Sequence, residues 1–305
     1  MFDRRQIVAG LAGLPFASAA ASAQGGWQTR FPELVFAVVP AENASGLTER
    51  MAPFNAYLSK ELGVKVTLRI ANDYAAVIEG QRAGQIHLGY YGPSSYVRAH
   101  TVTNGGVEPF VTTINSDGSI GYYSVLYVKA NSTAASIQDL KGKNLCLVDP
   151  NSTSGNNVPR FAMSRMGIAN PDQHFARVVY AGSHENAITA VAQGTCDAAF
   201  NWWNSEQDSN FSRMVNKNMV RNEDFKIIFK SDLIAGSPYA WLTALPADAK
   251  AAILKAFLEA PQKDKAAFDR LSDGKDRGFQ KVTHQDYIPV VELQKFVDQM
   301  RRARS

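Results

Sequence analysis

Only two cysteines and five histidines occur among the 305 residues. The histidines, at 87, 100, 174, 184 and 284, form no His-Glu-x-x-His pair, and Cys146 and Cys196 fit no metal-binding spacing. A Gly-x-Ser-x-Gly nucleophile elbow is also missing. No metal, cofactor or catalytic residue is therefore expected, and the chain does not read as an enzyme. Long apolar runs are lacking after the N-terminus, and the mean hydropathy is −0.20, which argues against a membrane-spanning chain. Strong charge is lacking too: 32 basic against 28 acidic residues give +4. Without the first 23 residues the balance is 30 against 27, because Arg4, Arg5 and Asp3 go with them. So small and evenly spread an excess excludes nucleic acid as the expected partner.

What is present is an ordinary globular composition, 45% hydrophobic and 20% charged, with room for two lobes. The N-terminus has its own character. Arg4 and Arg5 precede an apolar stretch from Ile7 to Phe16 and a small-residue run ending Ala21-Ser22-Ala23. That pattern reads as an export signal over residues 1–23, too short to span a bilayer, of either the general or the twin-arginine type. An exported chain works in an oxidising compartment. The two cysteines read there as buried thiols packed beside strands, with a disulfide as the alternative.

Along the chain, hydrophobic periodicity predicts strand 33–40, helix 47–62, strand 64–70, helix 74–83 and strand 86–93. Two strand-like runs, 107–114 and 121–129, flank the turn Asn115-Ser116-Asp117-Gly118. The α/β alternation then restarts: helix 136–141, strand 144–148, helix 155–166, strand 176–180, helix 184–193, strand 197–202, helix 205–216 and strand 225–229. Helices 248–259, 263–272 and 285–301 follow, with no sheet of their own, and are expected to pack on the first lobe. The expected division is lobe one over 24–127 plus 233–305 and lobe two over 128–232, with helices flanking parallel sheets. The apolar face of the last helix reads as packing against lobe one rather than as a dimer contact, so a monomer is expected.

The stretch the chain is organised around is Asp149-Pro150-Asn151-Ser152-Thr153-Ser154-Gly155-Asn156. It follows the buried-strand run Leu145-Cys146-Leu147-Val148 and precedes Val158, Phe161, Ala162 and Met166 at helical spacing. Three hydroxyls thus stand where a strand stops and a helix starts. Free N–H groups and a partial positive charge make such a terminus an anion site. One hydroxyl suffices for capping; three consecutive ones point to a bound oxyanion. Ligands of open α/β sheets sit at the carboxyl ends of strands. That rule brings together Tyr90 to Ser95 (with Tyr91 and Ser94), Asp149 to Ser154, Gly182-Ser183-His184, and Asn201 to Asn204, Trp202 included.

Seven blocks, in order over roughly residues 34–245, carry a resemblance. They are Asp73 to Ile78, Tyr91 to Tyr96, Gly121 to Leu126, Asp139 to Lys143, Asp149 to Gly155, Gly182 to Ala187, and Lys230 to Ile234. Together they resemble the phosphonate/phosphite-binding periplasmic components of ABC transporters, the PhnD-like proteins. The resemblance implies an α/β type II periplasmic-binding fold, two lobes joined by hinge strands, closing on a phosphorus oxyanion that is passed to an inner-membrane permease. It places phosphonate ligands on Ser152, Thr153 and Ser154, pocket tyrosines on Tyr74 and Tyr122, and a histidine on His184. Members that bind aminoalkyl phosphonates carry acids where this chain has Asn204 and Ser237. A neutral tail pocket is therefore expected, for a ligand without a primary ammonium or one that holds its cation another way. Trp202 and Trp203 read as an apolar wall or a cage for a methylated cation. A sensor that hands its ligand state to a signalling partner, an enzyme of the same fold, and a binding protein for another oxyanion or a carboxylate are the rival readings.

Overall fold

The computed structural model describes residues 26–302, so the export signal expected over 1–23 lies outside the described residues. Two six-element sheets organise the chain. The apolar run after residue 33 forms β1 (Glu33–Val38), and the alternating run after Val64 forms β2 (Lys65–Ile70), parallel to it with Leu34 opposite Val66. The connecting helix Ala44–Leu62 buries Leu47, Met51, Phe54 and Leu58 on one face and stops at Gly63. Strand β3 (Leu88–Tyr90) lies on the other side of β1, after helix Tyr74–Arg82. The strand expected over 86–93 is shortened by Pro93, which starts helix Pro93–Val102, an element the sequence reading passed over.

The chain then runs through β4 (Val107–Asn115) of the first sheet into β5 (Tyr123–Lys129) of the second. The second sheet adds β6 (Asn144–Leu147), β7 (Arg177–Tyr180), β8 (Ala198–Ser205), the two-residue β9 (Asp208–Ser209) and β10 (Phe225–Lys230), in the order β10-β5-β8-β6-β7 with β9 beside β8. The return crossing leads to β11 (Pro238–Leu242), and β12 (Asp276–Lys281) follows late in the chain; the first sheet reads β12-β4-β11-β3-β1-β2. The tail thus contributes a strand to the first sheet, where only helices were expected. The boundary expected after residue 127 falls inside β5, which pairs with β8 and β10 along its whole length. Where the two crossings meet, Tyr122 and Ile234 exchange backbone hydrogen bonds of 3.0 and 2.8 Å. Gly121 makes this possible. Its φ is 137°, and a Cβ there would stand 2.5 Å from the Ile234 carbonyl oxygen.

Aromatic packing fills the first lobe. Phe257 lies 5.1 Å from Phe54, 5.0 Å from Tyr239 and 5.2 Å from Phe279, ring centre to ring centre. Burying each such ring stabilises the lobe by about 1.5–3 kcal/mol. The second lobe packs Leu126, Leu145, Leu147, Met163 and Phe200 instead. The helix expected over 136–141 is a single turn, Gln138–Leu140. Pairing of Trp203 with Tyr123 draws β8 out to Ser205, so the helix expected from 205 starts only at Asn210, under a Ser209–Ser212 capping box.

The last helix, Ile288–Arg302, does not rest on the first lobe alone. Asp298 accepts two bonds from Arg98 of helix Pro93–Val102, at 2.6 and 2.8 Å, while Phe296 packs edge-on against Phe161 of the second lobe at 5.2 Å. Arg301 donates to the Pro150 carbonyl at 2.8 Å. An amphipathic helix with one apolar edge can satisfy both lobes where they meet, which sequence periodicity alone does not reveal.

Cys146 and Cys196 form a disulfide, Cα to Cα 5.9 Å, which corrects the reading as buried free thiols. Its cause is topological: β6 and β8 are direct parallel neighbours, so the residue in β6 and the one just before β8 come within bridging distance. The bridge spans 50 positions. Replacing both cysteines by serine is predicted to lower the free energy of unfolding by about 2–4 kcal/mol in urea titrations. Unchanged stability would show that the pair is not bonded in the exported protein.

Candidate functional site

A cavity of about 130 Å3 lies between the lobes. Four helices begin at its wall, each directly after a strand of one of the sheets: Tyr74–Arg82 after β2, Pro93–Val102 after β3, the helical stretch from Thr153 after β6, and His184–Ala192 after β7. All four strands are parallel members of their sheets, so their carboxyl ends point to one place. Each helix start adds about half a positive charge and unpaired N–H groups. The wall is therefore electropositive without a lysine or arginine at that end.

The predicted hydroxyl stretch sits at this wall. Ser152 caps its helix by accepting from Gly155 N at 3.1 Å. The first helical turn, Thr153–Asn157, is wound as a wide π-turn and runs on into Val158–Arg165. Thr153 Oγ1 accepts from Ser94 N at 2.8 Å, joining the helix start of one lobe to that of the other. Ser154 presents its carbonyl to the Ser124 hydroxyl at 2.6 Å. Across the cleft, His184 N donates to the Ala41 carbonyl at 3.0 Å, and Asn43 gives two bonds of 2.7 Å to Glu185. The lobes are closed.

Protonation states suit an anion. Burial pushes the Tyr74 hydroxyl above its ordinary range, with Asp149 adding to the shift and Ser152 opposing it. Burial likewise raises Tyr122 to about 12, against contacts with Thr153, Ser154 and Ser237. Both phenols remain donors at neutral pH. His184 is fully buried, and desolvation pushes it down to about 3 against a contact with Asn201. It is a neutral imidazole, and its buried Nδ1 has no hydrogen-bond partner among the described residues.

Nine of the eleven expected residues line the cavity: Tyr74, Tyr91, Tyr122, Ser152, Thr153, Ser154, His184, Trp202 and Asn204. The Tyr91 hydroxyl, however, is turned into lobe one towards Gln81 Oε1, 2.7 Å away. Ser94 and Asn201 stand behind the wall. Ser94 contributes its backbone N–H to Thr153, and Asn201 holds the His184 carbonyl with its Nδ2 at 2.8 Å. The tryptophan cage does not form. The Arg213 guanidinium covers the Trp202 ring at 4.9 Å, and Trp203 lies against Lys230 and Tyr123 away from the cavity.

The tail end of the cavity is not neutral, contrary to the expectation from Asn204 and Ser237. Arg50, Arg213, Asp208 and Asp276 all line it, together with Tyr90 and Tyr239. Burial pushes Glu42 upward, yet Arg50, Arg213 and Lys217 outweigh it and hold the carboxyl below its usual range. Asp276 goes the other way. Burial, reinforced by the charge of Asp208, raises it to about 7 despite Arg213 and Arg50. These charged residues escaped the sequence reading because each sits on a segment with no motif around it: Arg50 and Arg213 in mid-helix, Asp276 on the unforeseen β12.

The tightness of the hydroxyl turn is testable. A Cβ on Gly155 would stand 2.3 Å from Val148 Cγ2 and 2.8 Å from Ser152 Oγ. Gly155→Ala is predicted to destabilise the protein by about 1–3 kcal/mol in denaturant melts and to weaken anion binding in calorimetry. Full tolerance would mean that the turn is looser than this packing requires.

Comparison with known proteins agrees with this geometry. The family model described as "ABC transporter, phosphonate, periplasmic substrate-binding protein" matches residues 36–287. The chain is 35% identical over 228 residues to the phosphate-import protein PhnD of Mycolicibacterium smegmatis, covering 70% of this chain and 68% of that one. It is 35% identical over 246 residues to the phosphonates-binding periplasmic protein of Escherichia coli, covering 78% and 70%. The crystal structure of a binding protein component of an ABC phosphonate transporter from Pseudomonas aeruginosa superposes with a TM-score of 0.79 at 27% identity, over 90% of this chain and 89% of that one. Two sheets, parallel strand ends meeting at an inter-lobe cavity, and a match over most of the chain lead to one conclusion: this chain belongs to the family of periplasmic substrate-binding proteins of phosphonate ABC transporters.

Proposed function

We propose that the chain is the periplasmic, solute-binding component of an ABC importer and that it captures a phosphonate, or a related phosphorus oxyanion such as phosphite or a phosphate ester, between its lobes. The observation that carries this reading is the convergence of four helix starts on one small cavity beside Ser152, Thr153 and Ser154. A tetrahedral dianion presents three acceptor oxygens, and this wall offers hydroxyls, N–H groups and two protonated phenols. Charge-assisted hydrogen bonds contribute about 1.5–3 kcal/mol each. Four or five of them, less the cost of ordering and closure, reach the roughly 8 kcal/mol of micromolar binding. The names of the two sequence relatives, one a phosphate importer and one a phosphonate binder, support the same ligand chemistry. An inner-membrane permease is the partner, and export through a signal over residues 1–23 places the protein in the periplasm. No bond-breaking role is assigned to His184 or to the hydroxyls.

Calorimetry of the mature chain tests the reading. Methylphosphonate and phosphite are expected to bind more tightly than sulfate or acetate. Thr153→Val, which keeps shape and removes the hydroxyl, is expected to weaken binding by about 10- to 100-fold, as the loss of one charge-assisted bond implies. Binding of sulfate or acetate in preference to every phosphorus compound would overturn the proposal.

A further inference from the structure

Beyond the oxyanion end, the cavity holds a second charged set that no phosphonate group can satisfy. Arg213 enters it from helix Asn210–Asn216 with its side chain mostly buried. Its nearest carboxylate oxygens are Asp273 at 3.6 Å, Glu42 at 3.7 Å and Asp208 at 3.9 Å, all beyond hydrogen-bond length. Its Nε is buried without a hydrogen-bond partner. Three carboxylates within 4 Å balance its charge, but among the described residues none is at hydrogen-bond length, so a planar guanidinium held over Trp202 keeps donors for a carboxylate of the ligand. Arg50 differs: its guanidinium is consumed by Glu42 and by the Leu271 carbonyl.

Asp276 is the complementary half. It lines the same end of the cavity, and Ser272 is its side-chain partner. Its carboxyl stays protonated to unusually high pH because it is buried near Asp208 and because Arg213 and Arg50 do not compensate enough. Positive charge is what this carboxyl lacks. Asp208 is already engaged in part, since its Oδ2 accepts from Asn204 Nδ2 at 2.6 Å and its Oδ1 lies 3.9 Å from Arg213.

We propose that the tail end of the cavity recognises a zwitterionic tail, with Asp276 receiving an ammonium and Arg213 a carboxylate, so that the ligand class is an amino-carboxy phosphonate or the equivalent phosphate ester. This rests on the reading that the cleft binds a phosphorus oxyanion. The paired charges explain how the chain can hold a cation although Asn204 and Ser237 are neutral. They also explain a tail end with both signs of charge, which neither a bare alkyl nor a lone ammonium would call for. A zwitterion brings one hydrogen-bonding partner to each group and leaves the net charge of the cavity end unchanged, whereas either charge alone would shift the balance among Arg213 and its neighbouring carboxylates.

Four phosphonates separate the possibilities in calorimetry on the full mature protein: ethylphosphonate, aminoethylphosphonate, phosphonopropionate and phosphonoalanine. Phosphonoalanine is expected to bind at least about tenfold more tightly than either singly charged analogue. Within each variant the ratios are read, so that changes in stability cancel. Arg213→Gln is expected to abolish the advantage of phosphonoalanine over aminoethylphosphonate, and Asp276→Asn its advantage over phosphonopropionate. Aminoethylphosphonate or ethylphosphonate binding as tightly as phosphonoalanine would overturn the inference while leaving the phosphonate reading intact. Failure of all four phosphonates to bind would instead remove the reading on which it rests.

Discussion

Four helix starts pointing at one cavity are the constraint on which the rest of the molecule depends. Helix ends of the same sign repel, and burying them together is tolerable only if negative charge lies between or beside them. Asp73 and Glu185 answer part of that demand from within the first turn or the cap of two of the helices. The cap at Gly92 offers no side chain, and those at Ser152 and Ser183 are uncharged. An oxyanion in the cavity completes the balance. The contact between Ser94 N and Thr153 Oγ1 then has a clear role, because it fixes the distance between a helix start in one lobe and a helix start in the other.

Closure follows from the same geometry. Backbone crossings at Tyr122 and Ile234 join the sheets at one side of the cavity, and the last helix joins them through Asp298, Phe296 and Arg301. Arg301 reaches Pro150, within the stretch that leads into the hydroxyl turn. The element proposed to bind the anion is thereby held from both lobes, and the disulfide between β6 and the residue just before β8 stiffens the strand from which that turn emerges.

The residues of the cavity wall around Ser152 to Ser154 were legible in the sequence, and those of the charged end were not. Ser152 to Ser154 announce themselves because an apolar strand run, a cluster of small polar residues and a helical period follow one another without interruption. The same strand-end logic pointed to His184, whereas Tyr74 and Tyr122 were expected there only from the family resemblance. Asp276 reaches the cavity through the long-range pairing of β12 with β4, and Asp208 and Arg213 through the tight turn that pairs β9 with β8 and starts the next helix. Neither strand could be read: β9 is two residues long, and Asp276–Lys281 carries too few apolar residues. The neutral tail pocket was inferred from two positions only, Asn204 and Ser237, and left out both the nearby Asp208 and Arg213 and the distant Arg50 and Asp276. Trp202 illustrates a related gap. Its place at the cavity was readable, but its ring face is already taken by Arg213, and a cation–π partner in the next helix leaves no local signature in the sequence.

The most direct test of the central claim is a crystal structure of the mature protein grown with methylphosphonate. The account predicts a tetrahedral anion at the convergence of the four helix starts. Its oxygens should lie at hydrogen-bond distance, about 3 Å, from the Ser152–Ser154 turn and from Tyr122. An anion seated instead against Arg213, or bound outside the cleft, would contradict it.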